Sequence, residues 1–250
     1  MFLSLDTSTL TLSLALVERE PSERGPSGSL RVLEHVVVGP PQKQSEALPG
    51  VVGELLARHG VKLADLEGLA VGLGPGSFTG LRIGLATVKS LAYATGLKVA
   101  GASSLAAVAL EGPEDVPLYC LAVARRDDLY LGAYVRRGGT VEALEPETAM
   151  SPQEVAARLA AEPRALALGP ALTDYRAALE SHGVAPQRLL AGPAFPSAVE
   201  LARLVRFPEE RSLQALFALE PHYVRASEPE RNPKFPPLPG PAPTARLKED

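Results

Sequence analysis

A chain of 250 residues can bury a sizeable core in one large domain or two lobes, and its net charge of −4 and pI of about 5.7 leave no basic surplus of the kind that binds nucleic acid unaided. A single cysteine, Cys120, excludes an internal disulfide and fits a reducing cytoplasm; it lies in the apolar run LYCLAVA, where a buried thiol is expected. The N-terminus shows no basic leader, and no apolar stretch is long enough to cross a bilayer, so no membrane contact is expected.

Leu3, Leu5, Leu10, Leu12, Leu14 and Leu16 alternate with smaller residues and are interrupted by Asp6-Thr7-Ser8-Thr9, which predicts a hairpin with a polar turn. Residues 21–29 read as a loop and Arg31 to Val38 as a third strand. Gln44 to His59 has helical periodicity, with Leu48, Val51, Val52, Leu55 and Leu56 on a wide apolar face. Pro49 is expected in that helix's first turn, where proline is tolerated. Leu66 to Leu73 reads as a buried strand. Beyond it Leu81, Leu85, Val88 and Ala92 form the stripe of a helix from Thr79 to Thr95. The first half thus reads strand, strand, strand, helix, strand, helix.

The second half repeats that order. Leu118 to Val135 predicts a hairpin, Thr140 to Leu144 a third strand reached through a Gly138-Gly139 turn, and Ser151 with Pro152 and Glu154 a capped helix start. Ala165 to Leu172 mirrors the earlier strand and glycine-proline turn, and a helix follows from Asp174 to His182. Self-similarity over about a hundred residues predicts a duplicated lobe. Laying one hairpin over the other sets Ala124 opposite Asp6. Helices are expected at Ser197 to Arg206 and Ser212 to Leu219. Seven prolines between Pro229 and Pro243 predict an extended or disordered tail.

Between the strand and helix of the first half lies GLGPGSFTGLRIG, Gly72 to Gly84. Gly74 and Gly76 admit unusual backbone angles, Pro75 stiffens the turn, and Ser77 or Thr79 can cap the helix. Such a turn can receive an anion. Gly80 is followed by Leu81-Arg82 instead of Lys-Ser or Lys-Thr, so the P-loop motif fails. The dinucleotide fingerprint fails too, because Ser77 stands where its third glycine would be and no Asp or Glu occurs between Glu67 and Glu111. A tight turn that lets a helix pack close to a sheet is the plain reading.

GPGSFTGLRIGLATVKSLA, Gly74 to Ala92, resembles the signature of the bacterial TsaB (YeaZ) family. Its residues Gly74, Pro75, Gly76, Ser77, Phe78, Thr79, Gly80 and Arg82 form the turn proper. LSLDTSTLTLSLAL, VAGASSLAAVA and PHYVR (Pro221 to Arg225) are similar to the family's other landmarks, and the likeness covers about residues 1–225. The resemblance implies an α/β fold of two ribonuclease-H-like lobes, the actin-like, sugar kinase and heat-shock ATPase fold. The lobes are expected at 1–105 and 106–225, the last helices packing back on the first lobe and the tail at 226–250. It implies a non-catalytic partner that binds and activates TsaD in threonylcarbamoyladenosine modification of tRNA. A TsaE-like ATPase is implied in the same complex, with a homodimer when alone, contact with tRNA only indirectly, and no cofactor. The partner surface is expected on the first lobe's two helices, at Leu48, Val51, Val52, Leu55, Leu56, Leu81, Leu85 and Val88, part of which should stay exposed in a monomer. Asp6, Thr7 and Ser8 stand where ATP-binding relatives hold metal and phosphate, here read as a vestige.

Catalytic chemistry finds little support in the residues. His35, His59, His182 and His222 are scattered, and the TsaD metal pair His-x-x-x-His falls on Ser104 and Val108. Gln44-Ser45-Glu46 lacks the family's frequent histidine, and Val123-Ala124-Arg125 lacks its frequent aspartate. An ATPase or sugar kinase of the same fold, and a glycoprotease-like peptidase, are the two enzymatic alternatives.

Overall fold

The computed structural model describes residues 1–20, 29–40, 44–125 and 128–224; the proline-rich tail lies outside them. β1 (Phe2–Asp6) and β2 (Leu12–Arg19) pair antiparallel, with Asp6 opposite Ser13 at the mouth of the turn. β3 (Leu30–Val38) adds to β2, and α1 (Gln44–Arg58) follows. β4 (Gly68–Gly72) lies parallel to β1, α2 (Phe78–Thr95) returns the chain, and β5 (Lys98–Ala102) lies parallel to β4. The sheet order is β3-β2-β1-β4-β5.

The second half builds the same order. α3 (Ser104–Ala109) leads to β6 (Pro117–Arg125), β7 (Asp128–Arg137) and β8 (Thr140–Ala143), joined through Gly138 and Gly139, whose φ of +54° and +75° suit a tight hairpin turn. β9 (Thr148–Met150) also pairs with β7. α4 (Pro152–Ala161), β10 (Leu166–Leu168) and α5 (Leu172–Ser181) complete the unit, in the order β10-β6-β7-β8. The capping box forms as its residues predict: Ser151 Oγ accepts from Glu154 N while the Glu154 carboxylate accepts from Ser151 N. This repeated β-β-β-α-β-α order is the two-lobed actin-like, ribonuclease-H-like fold.

The lobes do not share one core. Leu3, Leu5, Leu14, Leu16, Leu48, Leu55, Leu69 and Val88 fill the first between its sheet and the pair α1–α2. Leu121, Leu129, Leu131, Val155, Leu159 and Leu179 fill the second beneath α4 and α5. Each such side chain contributes about 1.5–3 kcal/mol on burial. The opposite face of the first sheet is narrower. Ala15, Ala70 and Ala100 leave room there for α6 (Ala198–Leu204), which crosses back from the second lobe with Ala198 and Ala202 inward. α7 (Leu213–Ala218) then lies beside α2, with Leu216 in the first core.

Three expectations need correction. Pro49 sits beyond the first turn of α1, where it can offer no N–H to the carbonyl one turn back. β5, α3 and β9 were not expected, being short, alanine-rich or lacking periodicity. Ala124 is not opposite Asp6: β10 pairs with β6 only as far as Cys120, and Ala124 lies beyond, whereas Leu5 beside Val71 puts Asp6 right at the end of β4.

Candidate functional site

The first lobe's glycine turn is filled by the chain's own hairpin. Asp6, at the last position of β1, is fully buried. Its Oδ1 accepts from Ser8 N (2.8 Å) and Ser8 Oγ (2.6 Å), and its Oδ2 accepts from Ser104 Oγ (2.5 Å). Ser104 Oγ in turn accepts from Gly74 N. Burial raises the Asp6 carboxyl above its ordinary value, and the three hydroxyl and amide bonds oppose that shift without cancelling it. The aspartate therefore bonds its own turn, and its third bond comes from α3.

The signature glycines make room for this arrangement. A Cβ on Gly72 would stand 1.9 Å from Asp6 Oδ2, one on Gly76 2.2 Å from Ser8 O, and one on Gly80 2.1 Å from Thr7 O. A Cβ on Gly84 would meet Thr7 Oγ1. Of the turn's two glycines only Gly74 has a left-handed backbone, with φ +90°. Gly76 is required for close approach and not for its angles, which corrects the expectation. Ser77 caps α2, its Oγ accepting from Gly80 N, and Ser77 N donates to Ser8 O at 2.7 Å. Thr7 Oγ1 donates to Gly80 O. Two of the backbone donors at this helix start, Ser77 N and Gly80 N, are thus directed at Ser8 and Ser77.

Ser104 and Val108, the positions that match the metal pair, are both buried, one bonded to Asp6 and the other packed among Leu105, Leu118 and Cys120. Among the described residues no group of three or more His, Cys, Asp or Glu could hold a metal. Cys120 is fully buried, and burial lifts its thiol well above the usual range. Ser13 Oγ lies 2.8 Å from His35 Nε2, but it also accepts from Ala198 N and is buried, so Ser13 anchors the start of α6; burial lowers the His35 value.

The PHYVR landmark docks on the signature. His222 N donates to Leu73 O at 2.7 Å. The Tyr223 ring packs on Phe78 with centroids 5.5 Å apart, Tyr223 Oη accepts from Arg82 Nε, and the Arg82 guanidinium lies 4.0 Å above the Phe78 ring. From the second lobe, Glu147 completes the clasp. Its carboxylate accepts from His222 Nδ1 (3.0 Å) and from the hydroxyls of Ser103 and Tyr134, and Ser103 caps α3. Burial and the neighbouring Glu147 push the Tyr134 hydroxyl upward. Neither Glu147 nor Tyr134 carried a sequence signal, since the clasp joins positions far apart in the chain.

The residues expected at a partner surface are buried or half-buried within the chain. Leu48, Val52, Leu55, Leu56, Leu85 and Val88 are buried in the first core, Leu81 is buried beside Gly74, and Val51 is half-buried against the core. Periodicity identified them as an apolar face, but the sheet and the α1–α2 contact cover that face within the chain. What remains open is a groove of about 370 Å³ between the two helices, lined by Pro49, Val52, Ala86, Thr87, Ser90 and Leu91. No described helix is long and apolar enough to cross a membrane.

Residues 41–180 match the family model of TsaD, tRNA N6-adenosine threonylcarbamoyltransferase. The tRNA threonylcarbamoyladenosine biosynthesis protein TsaB of Bacillus subtilis is 30% identical over 146 residues, 58% of this chain and 59% of that protein. The chain therefore matches little more than half the length of this curated relative. Among solved structures, YeaZ from Pseudomonas aeruginosa superposes with a TM-score of 0.64 at 29% identity, covering 81% of this chain and 89% of that one. A second Pseudomonas aeruginosa structure, described as similar to peptidase YeaZ, gives a TM-score of 0.68 at 27% identity over 90% of this chain and 99% of its own.

Proposed function

We propose that this chain, which belongs to the family described by the TsaD model, is a TsaB-like (YeaZ-like), non-catalytic subunit that binds and activates a TsaD-like paralogue during N6-threonylcarbamoyladenosine modification of tRNA. The observation that carries the reading is the closed turn. Asp6 spends its acceptors on Ser8 and Ser104, and the hairpin backbone lies hard against Gly76 and Gly80. A fold that binds nucleotide in its relatives is here a packed body, suited to holding a partner. The first lobe meets that partner through α1 and α2, at the groove beside Ala86 and Ser90 and not through the buried residues beneath it. A stable complex needs a contact larger than this groove alone, so the surrounding helix surface takes part.

The test is co-elution with the TsaD-like paralogue. Ala86→Arg combined with Ser90→Glu alters exposed positions and leaves the core intact. The expected result is a folded variant whose association falls by at least tenfold and whose complex no longer supports tRNA modification. Wild-type association and modification by the folded variant would remove α1–α2 as the partner surface.

A further inference from the structure

α2 has two flanks. One faces α1 and carries the groove; the other faces α7 and the Pro221–Val224 segment. On that second flank Phe78, Arg82, Lys89 and Tyr93 follow one another at spacings of four, seven and four residues, which keeps them on one face over about 22 Å. At the near end Phe78 and Tyr223 are 42% and 44% exposed, with Arg82 above the Phe78 ring. At the far end Tyr93 and Phe217 are 61% and 59% exposed and touch, with ring centroids 6.1 Å apart. Lys89 Nζ reaches Phe217 O, and Arg211 lies beside the Tyr93 carbonyl.

The charge on these elements is of one sign. α2, β5 and α7 carry Arg82, Lys89 and Lys98 and no carboxylate, in a chain whose net charge is −4. The neighbouring acids, Glu209, Glu210 and Glu220, lie in the connections on either side of α7. Exposed aromatic rings interleaved with cations along a helix that itself carries no carboxylate suit unpaired nucleotides: bases stack on rings and phosphates meet Lys and Arg. An acidic, apolar protein segment would use the cations but has no need of four rings placed in two pairs.

We propose that this flank of α2, from the Phe78–Tyr223 pair at one end to the Tyr93–Phe217 pair at the other, contacts unpaired nucleotides of the tRNA while the α1 flank holds the protein partner. The inference rests on the proposed tRNA-modification role and adds a direct RNA contact, where the family resemblance implies only an indirect one. The acidic chain as a whole accounts for the need of a partner complex to bind RNA strongly.

The experiment uses the complex with the TsaD-like paralogue and a fluorescein-labelled, unmodified transcript of a tRNA with adenosine next to its anticodon. Anisotropy is read at two salt concentrations for the wild type, for Tyr93→Ala with Phe217→Ala, and for Lys89→Glu with Arg211→Glu. Should either double variant fail to fold, Tyr93→Ala and Lys89→Glu alone replace it. The expected result is unchanged pairing with the paralogue, tRNA affinity lowered about tenfold or more in both sets, and a shallower salt dependence for the charge variant. Unchanged tRNA affinity with pairing intact overturns the inference. Loss of pairing also overturns it, since the flank is then a protein contact. If the wild-type complex does not form, the proposed role has failed independently, and the flank is read by cross-linking the isolated chain to a 4-thiouridine-substituted transcript. Cross-links on α2 and α7 would then sustain the inference and their absence would reject it.

Discussion

At Gly74–Pro75 the chain leaves β4 and enters α2; at Gly169–Pro170 it leaves β10 and enters α5. The first passage is closed by polar groups. A buried aspartate accepts from two serines, Thr7 Oγ1 donates to Gly80 O, and Ser77 caps the helix. The second is closed by backbone and apolar side chains. Ala171 N donates to Leu121 O, α5 has no side-chain cap, and Leu172 enters the second core. One strand–turn–helix plan thus yields a buried hydrogen-bonded network in one lobe and ordinary packing in the other. Glycine serves both, for different reasons. Gly76 and Gly80 have ordinary angles and no space for a side chain, whereas Gly169 has a φ of +118° and, in addition, Leu121 O only 2.5 Å from where a Cβ would stand.

The largest effect expected from breaking this pattern is at Gly76 and Gly80. Alanine at either would press a methyl group into backbone carbonyl oxygen, and overpacking of this kind costs about 2–3 kcal/mol. The thermal midpoint should fall by several degrees, measured by calorimetry. A midpoint within one degree of wild type, on a scale where about 1 kcal/mol moves it by roughly 2–4 °C, would mean that the hairpin does not lie against α2 as described. Gly169→Ala should be nearly as harmful, through backbone strain of about 1–3 kcal/mol. An effect at the first turn alone would show that the two lobes do not share the constraint.

The polar network sharpens the comparison through pH. The folded Asp6 carboxyl titrates above its ordinary value of 3.8. Its contribution to stability is therefore fully present below that ordinary value and is lost as the pH rises through the folded one. Asparagine in its place keeps an oxygen that accepts from Ser8 N and Ser8 Oγ and carries no titrating charge, while its amide replaces the Oδ2 that accepts from Ser104 Oγ. Asp6→Asn should therefore show the flatter profile of thermal midpoint against pH, because the wild type alone loses stability as the pH rises through the raised Asp6 value. Parallel profiles for the two proteins would place the Asp6 titration at its ordinary value.

The smallest expected effect is at the clasp. Tyr223→Ala removes an exposed ring contact and the bond to Arg82, worth about 0.5–1 kcal/mol at such a site. A loss several times larger would make the Pro221–Val224 segment part of the first lobe's core.

How legible all this is in the sequence depends on the range of the interaction. The β1–β2 hairpin, α2 and the Ser151 capping box are written in local periodicity and cap chemistry, and they stand where those signals put them. β5 and α3 share the stretch KVAGASSLAAVA, whose small residues favour neither period. Leu48 and Val52 show the limit of apolar patterning: it marks which side of a helix is covered and does not say which body covers it. The Asp6–Ser104 and His222–Glu147 contacts join residues remote in sequence, so only the packed fold assembles them.

The closed first turn is the centre of this account, and titration calorimetry of the isolated protein with Mg-ATP tests it most directly. With Asp6 bonded to Ser8 and Ser104 and the hairpin seated on Gly76 and Gly80, no saturable heat is expected at micromolar concentrations. A saturable micromolar isotherm that disappears in Asp6→Asn would show that the turn opens to take a nucleotide, and would contradict the account.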